Sequence, residues 1–184
     1  YRLPNPATST RPEKAPLLDV RQALAMLRQN QQEYGFSADQ FGVMGFSAGS
    51  HLATRASVDH AAEASRSPDF SMRIYGVTRM TEVNREWLEQ TFYHRPMTAA
   101  EVADQTLLER VDRTTPPAFL VHSLDDDTCH YSESTLYAEA LTRHGVDAEI
   151  HLFARGGHGF GLGRENDGTG QWLELAVDWL KRLD

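Results

Sequence analysis

Gly45-Phe46-Ser47-Ala48-Gly49 is the stretch on which the reading of this chain turns. A short apolar run, Phe41, Val43 and Met44, leads into it, and a helix-compatible run from Ser50 to Ala56 follows. Extended chain, a serine between glycines and then a helix describe a sharp strand-to-helix turn. Such a turn lifts the serine hydroxyl above the end of a sheet. Both glycines are read here as residues that permit the tight turn. Ser47 is therefore a candidate nucleophile. The Ala48 N–H, directly after it, is a candidate donor to an oxyanion.

A serine hydroxyl is a weak nucleophile near neutral pH. It needs a neighbouring base, and the base needs a group to orient it. In a doubly wound sheet these partners belong in loops after later strands, in the order serine, acid, histidine. The chain supplies both. Val121-His122-Ser123-Leu124-Asp125-Asp126-Asp127 closes an apolar run with three successive carboxylates. After the next apolar run, Gly156-Gly157-His158-Gly159-Phe160-Gly161 sets one histidine among glycines, which let the backbone bend close to a site. Imidazole has the pKa to accept and return a proton near neutrality.

The organisation around these motifs is that of one α/β domain over residues 1–184. Residues 1–16 hold four prolines and read as an irregular surface segment. Leu17, Val20, Leu24 and Leu27 then share a helical face that Gly35 ends. Strand-like runs are predicted at 41–46, 72–77, 118–122 and 148–153. Leu136, Ala140 and Leu141 lead to a capping Gly145, and Trp172, Leu175, Ala176, Trp179 and Leu180 form a closing amphipathic helix. Strands separated by helices predict a parallel sheet covered on both faces. Residues 80–115 carry Trp87, Phe92, Tyr93 and His94 without a strand pattern. They are expected to be either a lid or substrate-binding insert, or an ordinary crossover helix.

Five stretches, GVMGFSAGSHLA (42–53), PDFSMRIYGV (68–77), PPAFLVHSLDDDT (116–128), YAEALTRHGVDAEIHLF (137–153) and GGHGFGLG (156–163), together carry a family resemblance. The chain resembles the α/β-hydrolase fold. Within it, the likeness is to acetyl-xylan-esterase-like carboxylesterases of the branch related to prolyl oligopeptidases and dienelactone hydrolases. The resemblance implies Ser47 as nucleophile, His158 as base and Asp126 as acid, with Asp125 the alternative. The family's Asp-x-x-Val-Pro pattern falls on Asp126-Asp127-Thr128-Cys129-His130, with Cys-His where Val-Pro is usual. It also implies that strands and a Gly-rich oxyanion loop ordinarily precede the Tyr-Arg-Leu that opens this chain. The expectation is thus the C-terminal portion of an esterase, with the N-terminal strands missing, one of two oxyanion donors present and residues 41–46 forming an apolar edge. The implied activity is hydrolysis of short acyl esters, such as acetyl groups on carbohydrate. A peptidase or dienelactone-hydrolase-like activity on the same residues, or a non-catalytic fragment, are the alternatives.

The remaining features are read more plainly. His51 is expected to hydrogen-bond beneath the turn rather than to react, and His122 to be a satisfied structural histidine. His122, Asp125, Asp126, Asp127 and His130 contain ligand types that suit divalent ions, but their spacing matches no ligand motif, so neither metal nor cofactor is expected. Cys129 is the one cysteine and reads as an inert thiol, which rules out an internal disulfide. A net charge of -8 without basic clusters argues against nucleic acid. No apolar run approaches the ~18 residues of a membrane span.

Overall fold

A computed structural model of the chain describes residues 14–183. The expected irregular segment over residues 1–16 lies, up to residue 13, outside them. Helix α1 (Ala15–Gln29) starts with Pro16 in its first turn, where the missing amide costs no hydrogen bond. It buries Leu17, Leu24 and Ala25. A single turn, α2 (Gln31–Tyr34), ends at Gly35, whose φ of 73° is the left-handed cap that glycine adopts without strain.

Four strands follow: β1 (Gly42–Phe46), β2 (Phe70–Ile74), β3 (Ala118–Ser123) and β4 (Ala148–Phe153). They pair in sequence order and all in parallel, with Gly45 opposite Arg73, Arg73 opposite Leu120 and Leu120 opposite Ile150. Parallel pairing requires a crossover at every step. Helix α3 (Ala48–Val58) makes the first, α4 (Glu82–Leu88) and α5 (Ala99–Gln105) lie within the second, and α6 (Ser132–Arg143) makes the third. Helix α7 (Trp172–Leu180) follows β4. Among the described residues no helix is long and apolar enough to cross a membrane.

The alternation of β3 sorts the helices onto two faces. Ala118 and Leu120 pack with Val58 of α3 and Tyr137, Ala138 and Leu141 of α6. Phe119 and Val121 point the other way, into Trp172, Ala176 and Trp179 of α7. Both faces are therefore buried, which is why β3 reads as a continuous apolar run rather than an alternating one. Each such side chain contributes about 1.5–3 kcal/mol when fully buried, so α7 is held by packing rather than by capping. Gly145, with φ 73°, ends α6 as expected, and Val146 N donates back to Leu141 O at 3.0 Å.

Two expectations are revised. The second strand is displaced from 72–77 to Phe70–Ile74, because Tyr75 adopts φ 40° and turns the chain off the ladder after one last bond, Tyr75 N to Val121 O at 2.8 Å. Residues 80–115 are not one crossover helix. They contain α4, a π turn at Glu89–Tyr93, α5 and a 3-10 turn at Leu108–Arg110. Helix α5 opens on a reciprocal cap, in which Thr98 Oγ1 accepts from Glu101 N while Glu101 Oε2 accepts from Thr98 N.

Gly76 shows how closely α3 packs on the end of β2. A Cβ there would lie 1.9 Å from Ser50 Oγ and 2.3 Å from Ser50 Cβ, but 3.4 Å from Ser50 Cα. Gly76→Ala should therefore lower stability by about 1–3 kcal/mol through overpacking. Adding Ser50→Gly should recover that loss, less about 1 kcal/mol for glycine in a helix. Adding Ser50→Ala should not, since its Cβ remains. Urea unfolding of the two double variants checks the contact.

Candidate active site

Ser47 sits where β1 becomes α3. Its N–H donates to Ile74 O at 2.9 Å, continuing the ladder, while its carbonyl accepts from Ser50 N and His51 N at 2.9 and 3.2 Å, opening the helix. Serving both elements forces φ 51° and ψ −118° on a residue with a Cβ. Such a conformation costs about 1–3 kcal/mol and persists where the surroundings over-determine it.

The determinant is Gly45. A Cβ on it would stand 2.1 Å from Gly49 O, so the first turn of α3 crosses β1 at backbone contact. Gly49 does not share that role. A Cβ there would meet nothing within 4 Å, which corrects the reading that gave the tight turn to both glycines. Ala48 begins α3, where the first amides of a helix lack partners within it, and it is exposed.

His158 reaches this turn from the loop after β4. Its Nε2 lies 2.8 Å from Ser47 Oγ and its Nδ1 2.9 Å from Asp126 Oδ2. An ionised carboxylate only accepts, so Nδ1 carries a proton and Nε2 accepts from the serine hydroxyl. Gly157 and Gly159 on either side take φ 61° and 76°, which is how the backbone can present the imidazole at the tip of the loop. The loop is fastened at three places. Gly157 N donates to Asp125 Oδ1 at 2.8 Å, Ser123 Oγ donates to Gly157 O at 2.6 Å, and Gly161 N donates to Tyr75 Oη at 3.1 Å.

Asp126 and Asp125 thus divide the work between them. Asp126 is buried and meets the imidazole; Asp125 is exposed and ties down the backbone one residue earlier. Asp126 Oδ1 accepts from Thr128 N and Cys129 N at 2.9 and 2.8 Å. Burial pushes its carboxyl up, but hydrogen bonds from His122, the Cys129 amide, His158 and the Thr128 amide outweigh this and bring it to about 2. It is ionised throughout the range in which an imidazole titrates.

His122 backs the carboxylate from the sheet side. Its Nε2 faces Cys129 O at 2.8 Å and Asp126 Oδ2 at 3.2 Å, both acceptors, and its Nδ1 lies 2.8 Å from Ser134 Oγ. Nε2 is therefore the protonated nitrogen and Nδ1 takes the serine hydroxyl. The ligand types considered for a metal are dispersed, since His130 Nδ1 is engaged with Ser132 Oγ at 2.8 Å and Asp127 is exposed. Among the described residues no group of three or more His, Cys, Asp or Glu forms a metal-binding cluster. Burial, with Asp126 and Glu133 nearby, pushes the Cys129 thiol up to about 12, which keeps it protonated and unreactive.

Sequence reasoning missed Tyr75. Its ring meets His158 edge-on at 4.9 Å and Phe160 at 4.6 Å, so it forms the wall against which the imidazole rests. Burial raises its hydroxyl pKa, keeping it neutral. The one local signal is Tyr75-Gly76 at the end of an apolar run, which by pattern reads as more strand.

A Ser–His–Asp arrangement of this kind can remove a proton from the serine as it attacks a carbonyl and return it to the leaving group. Comparison with known proteins finds hydrolases and esterases among the chains this one resembles. An acetylxylan esterase from Xylanibacter ruminicola is 28% identical over 190 residues, covering 100% of this chain and 38% of the relative. An acetyl ester-xyloside bifunctional hydrolase from Caldicellulosiruptor lactoaceticus superposes with a TM-score of 0.81 at 29% identity, over 91% of this chain and 65% of that one. A sugar hydrolase from Lactococcus lactis gives 0.80 at 26% identity, over 98% of this chain and 74% of that one. The present chain thus spans well under half the length of the curated esterase it matches. Its parallel sheet with helices on both faces is that of the α/β-hydrolases. The prolyl oligopeptidase family pattern matches residues 13–183, and the chain belongs to that family.

Proposed function

We propose that this chain carries the reactive centre of a serine esterase that removes short acyl groups, acetyl above all, from carbohydrate. The observation that carries the reading is the unbroken path Asp126 Oδ2, His158 Nδ1, His158 Nε2, Ser47 Oγ, with heavy-atom separations of 2.9 and 2.8 Å across its two hydrogen bonds. Ser47 Oγ attacks the ester carbonyl while His158 takes its proton. Asp126 holds the imidazole in the tautomer that can do so, and the Ala48 N–H stabilises the oxyanion. The alcohol leaves with the proton from His158. The same imidazole then draws a proton from water, which attacks the acyl-serine and releases the acid. Carbohydrate enters through the relatives, one named an acetylxylan esterase and one an acetyl ester-xyloside bifunctional hydrolase. The family name favours peptide cleavage as the second reading.

Hydrolysis of p-nitrophenyl acetate, labelling by a fluorophosphonate and release of acetate from acetylated xylo-oligosaccharide test the proposal. Ser47→Ala should abolish all three. Asp126→Asn should lower kcat by about 10³–10⁴-fold, the cost of the wrong tautomer. Asp125→Asn should cost far less, about ten-fold, because it loosens only the backbone of the histidine loop. Labelling that persists in Ser47→Ala would refute the assignment of the nucleophile. Faster turnover of peptide than of ester would turn the substrate class to the second reading.

Asp126 also predicts the acid limb of stability. Its folded value, about 2, lies below the ordinary carboxylate value, so on acidification the unfolded chain takes up this proton first. The stabilisation is whole above about pH 4 and disappears as pH falls towards about 2. Denaturant unfolding between these limits should show a shallower decline in Asp126→Asn than in the parent chain.

A further inference from the structure

The segment between β2 and β3 leaves the sheet and returns to it through one closed base. Leu107 N and Leu108 N donate to Thr78 O at 2.8 and 3.2 Å. Thr78 N and Oγ1 donate in turn to Glu133 Oε2 at 2.8 and 2.9 Å. Glu133 is 2% exposed and also accepts from Arg79 N at 3.0 Å and from the Arg79 guanidinium at 2.9 Å. This base stands three residues after Tyr75, whose ring meets His158. Residues 79–110 are therefore rooted at the end of the sheet where Ser47, Asp126 and His158 converge. Within the segment, Arg95 lies over the Tyr93 ring at 5.3 Å and pairs with Glu101 at 2.6 Å.

A second attachment reaches the helix that carries the nucleophile. His51 is one turn after Ser47. Its Nδ1 lies 3.2 Å from Val77 O and its Nε2 3.0 Å from one amide atom of Gln105. The other amide atom of Gln105 lies 3.2 Å from Tyr93 Oη, at the end of the π turn. A backbone carbonyl only accepts, so Nδ1 of His51 carries a proton. Burial disfavours the cation and lowers the pKa of this imidazole, and the neutral ring leaves Nε2 as an acceptor. Gln105 must then turn its NH2 to His51 and its oxygen to Tyr93, a half-turn of the amide. The result is a chain of one direction: Tyr93 O–H to Gln105, Gln105 N–H to His51, His51 Nδ1–H to Val77 O. Each link pairs one donor with one acceptor in a part-buried setting.

We propose that Tyr93 and Gln105 are positioning residues that latch residues 79–110 against the first turn of α3, and that the segment so held selects the alcohol side of the ester. The selection rests on the esterase reading; the latch itself does not. Tyr93 closes a π turn and precedes His94, which takes φ 52°. Irregular backbone of this kind is frequent at functional sites. The latch supplies it with a fixed distance to the nucleophile helix.

Tyr93→Phe, which removes one oxygen, and Gln105→Met, which keeps the shape of the side chain, test this in the 184-residue chain. Hydrogen exchange of amides 89–105 should quicken about ten-fold in each, the effect of one lost buried hydrogen bond, while β3 and β4 amides stay as they were. In the same variants kcat/KM for acetylated xylo-oligosaccharide should fall about ten-fold further than for p-nitrophenyl acetate, chiefly through KM. Unchanged exchange at 89–105 would overturn the latch. Quickened exchange with both substrates falling alike, or neither falling, would overturn the selection. Loss of exchange protection throughout Gln105→Met reports misfolding of that variant, and Tyr93→Phe then decides. A parent chain that turns over neither substrate and is not labelled at Ser47 counts against the esterase reading and the selection with it, and exchange alone still decides the latch.

Discussion

The contact of two backbones, Gly45 against Gly49, is the constraint on which the rest of this structure depends. Because no side chain intervenes, α3 starts directly over the end of β1 and not beside it. Ser47 then has to serve strand and helix together, and its φ of 51° is the consequence. The hydroxyl is thereby pushed out of the sheet on a rigid support. The same tight start brings Ser50 onto Gly76 and His51 onto Val77, so the end of β2 is built around the first turn of α3. A strained residue held this firmly loses little more on reaction, which is the use of such strain at a site.

The partners of Ser47 come from loops that the sheet order makes neighbours. β3 and β4 are parallel and adjacent, so their C-terminal ends lie side by side and deliver Asp126 and His158 to one place. Position alone would not hold an imidazole on a glycine-rich loop. Asp125, Ser123 and Tyr75 each take a backbone group of that loop, and the Tyr75 ring blocks its retreat. Behind Asp126, His122 and two amides keep the carboxylate ionised and oriented despite its burial. Four further side chains, Asp125, Ser123, Tyr75 and His122, thus aim the three candidate groups.

Much of this was legible in the residues. The four strands, the closing helix and the cap at Gly145 were signalled by apolar periodicity and glycine placement, which are local properties. Ser47 stood out between two glycines after an apolar run, the carboxylates at 125–127 at the end of another, and His158 among glycines beyond a third, while the choice of Asp126 among the carboxylates came only from the family resemblance. What was not legible has a common physical cause. The early end of β2 follows from Tyr75 fitting against His158, a residue 83 positions later. Arg73 sits in an apolar strand, fully buried, with its guanidinium 4.1 Å over the Tyr137 ring and its pKa lowered to about 10 by burial, offset in part by Tyr137 and Glu133. No local pattern announces a cation whose partner is on a distant helix.

The sequence by itself determined the class of fold and which stretches carry candidate reactive groups, because hydrophobic period, turn chemistry and the donor or acceptor character of a side chain belong to the residue and its near neighbours. The tertiary structure decided which of two adjacent aspartates faces the imidazole, which of two glycines the turn requires, and where residues 79–110 are tied. Those outcomes depend on distances between segments far apart in the chain, and such distances exist only once the sheet has put its strands in order.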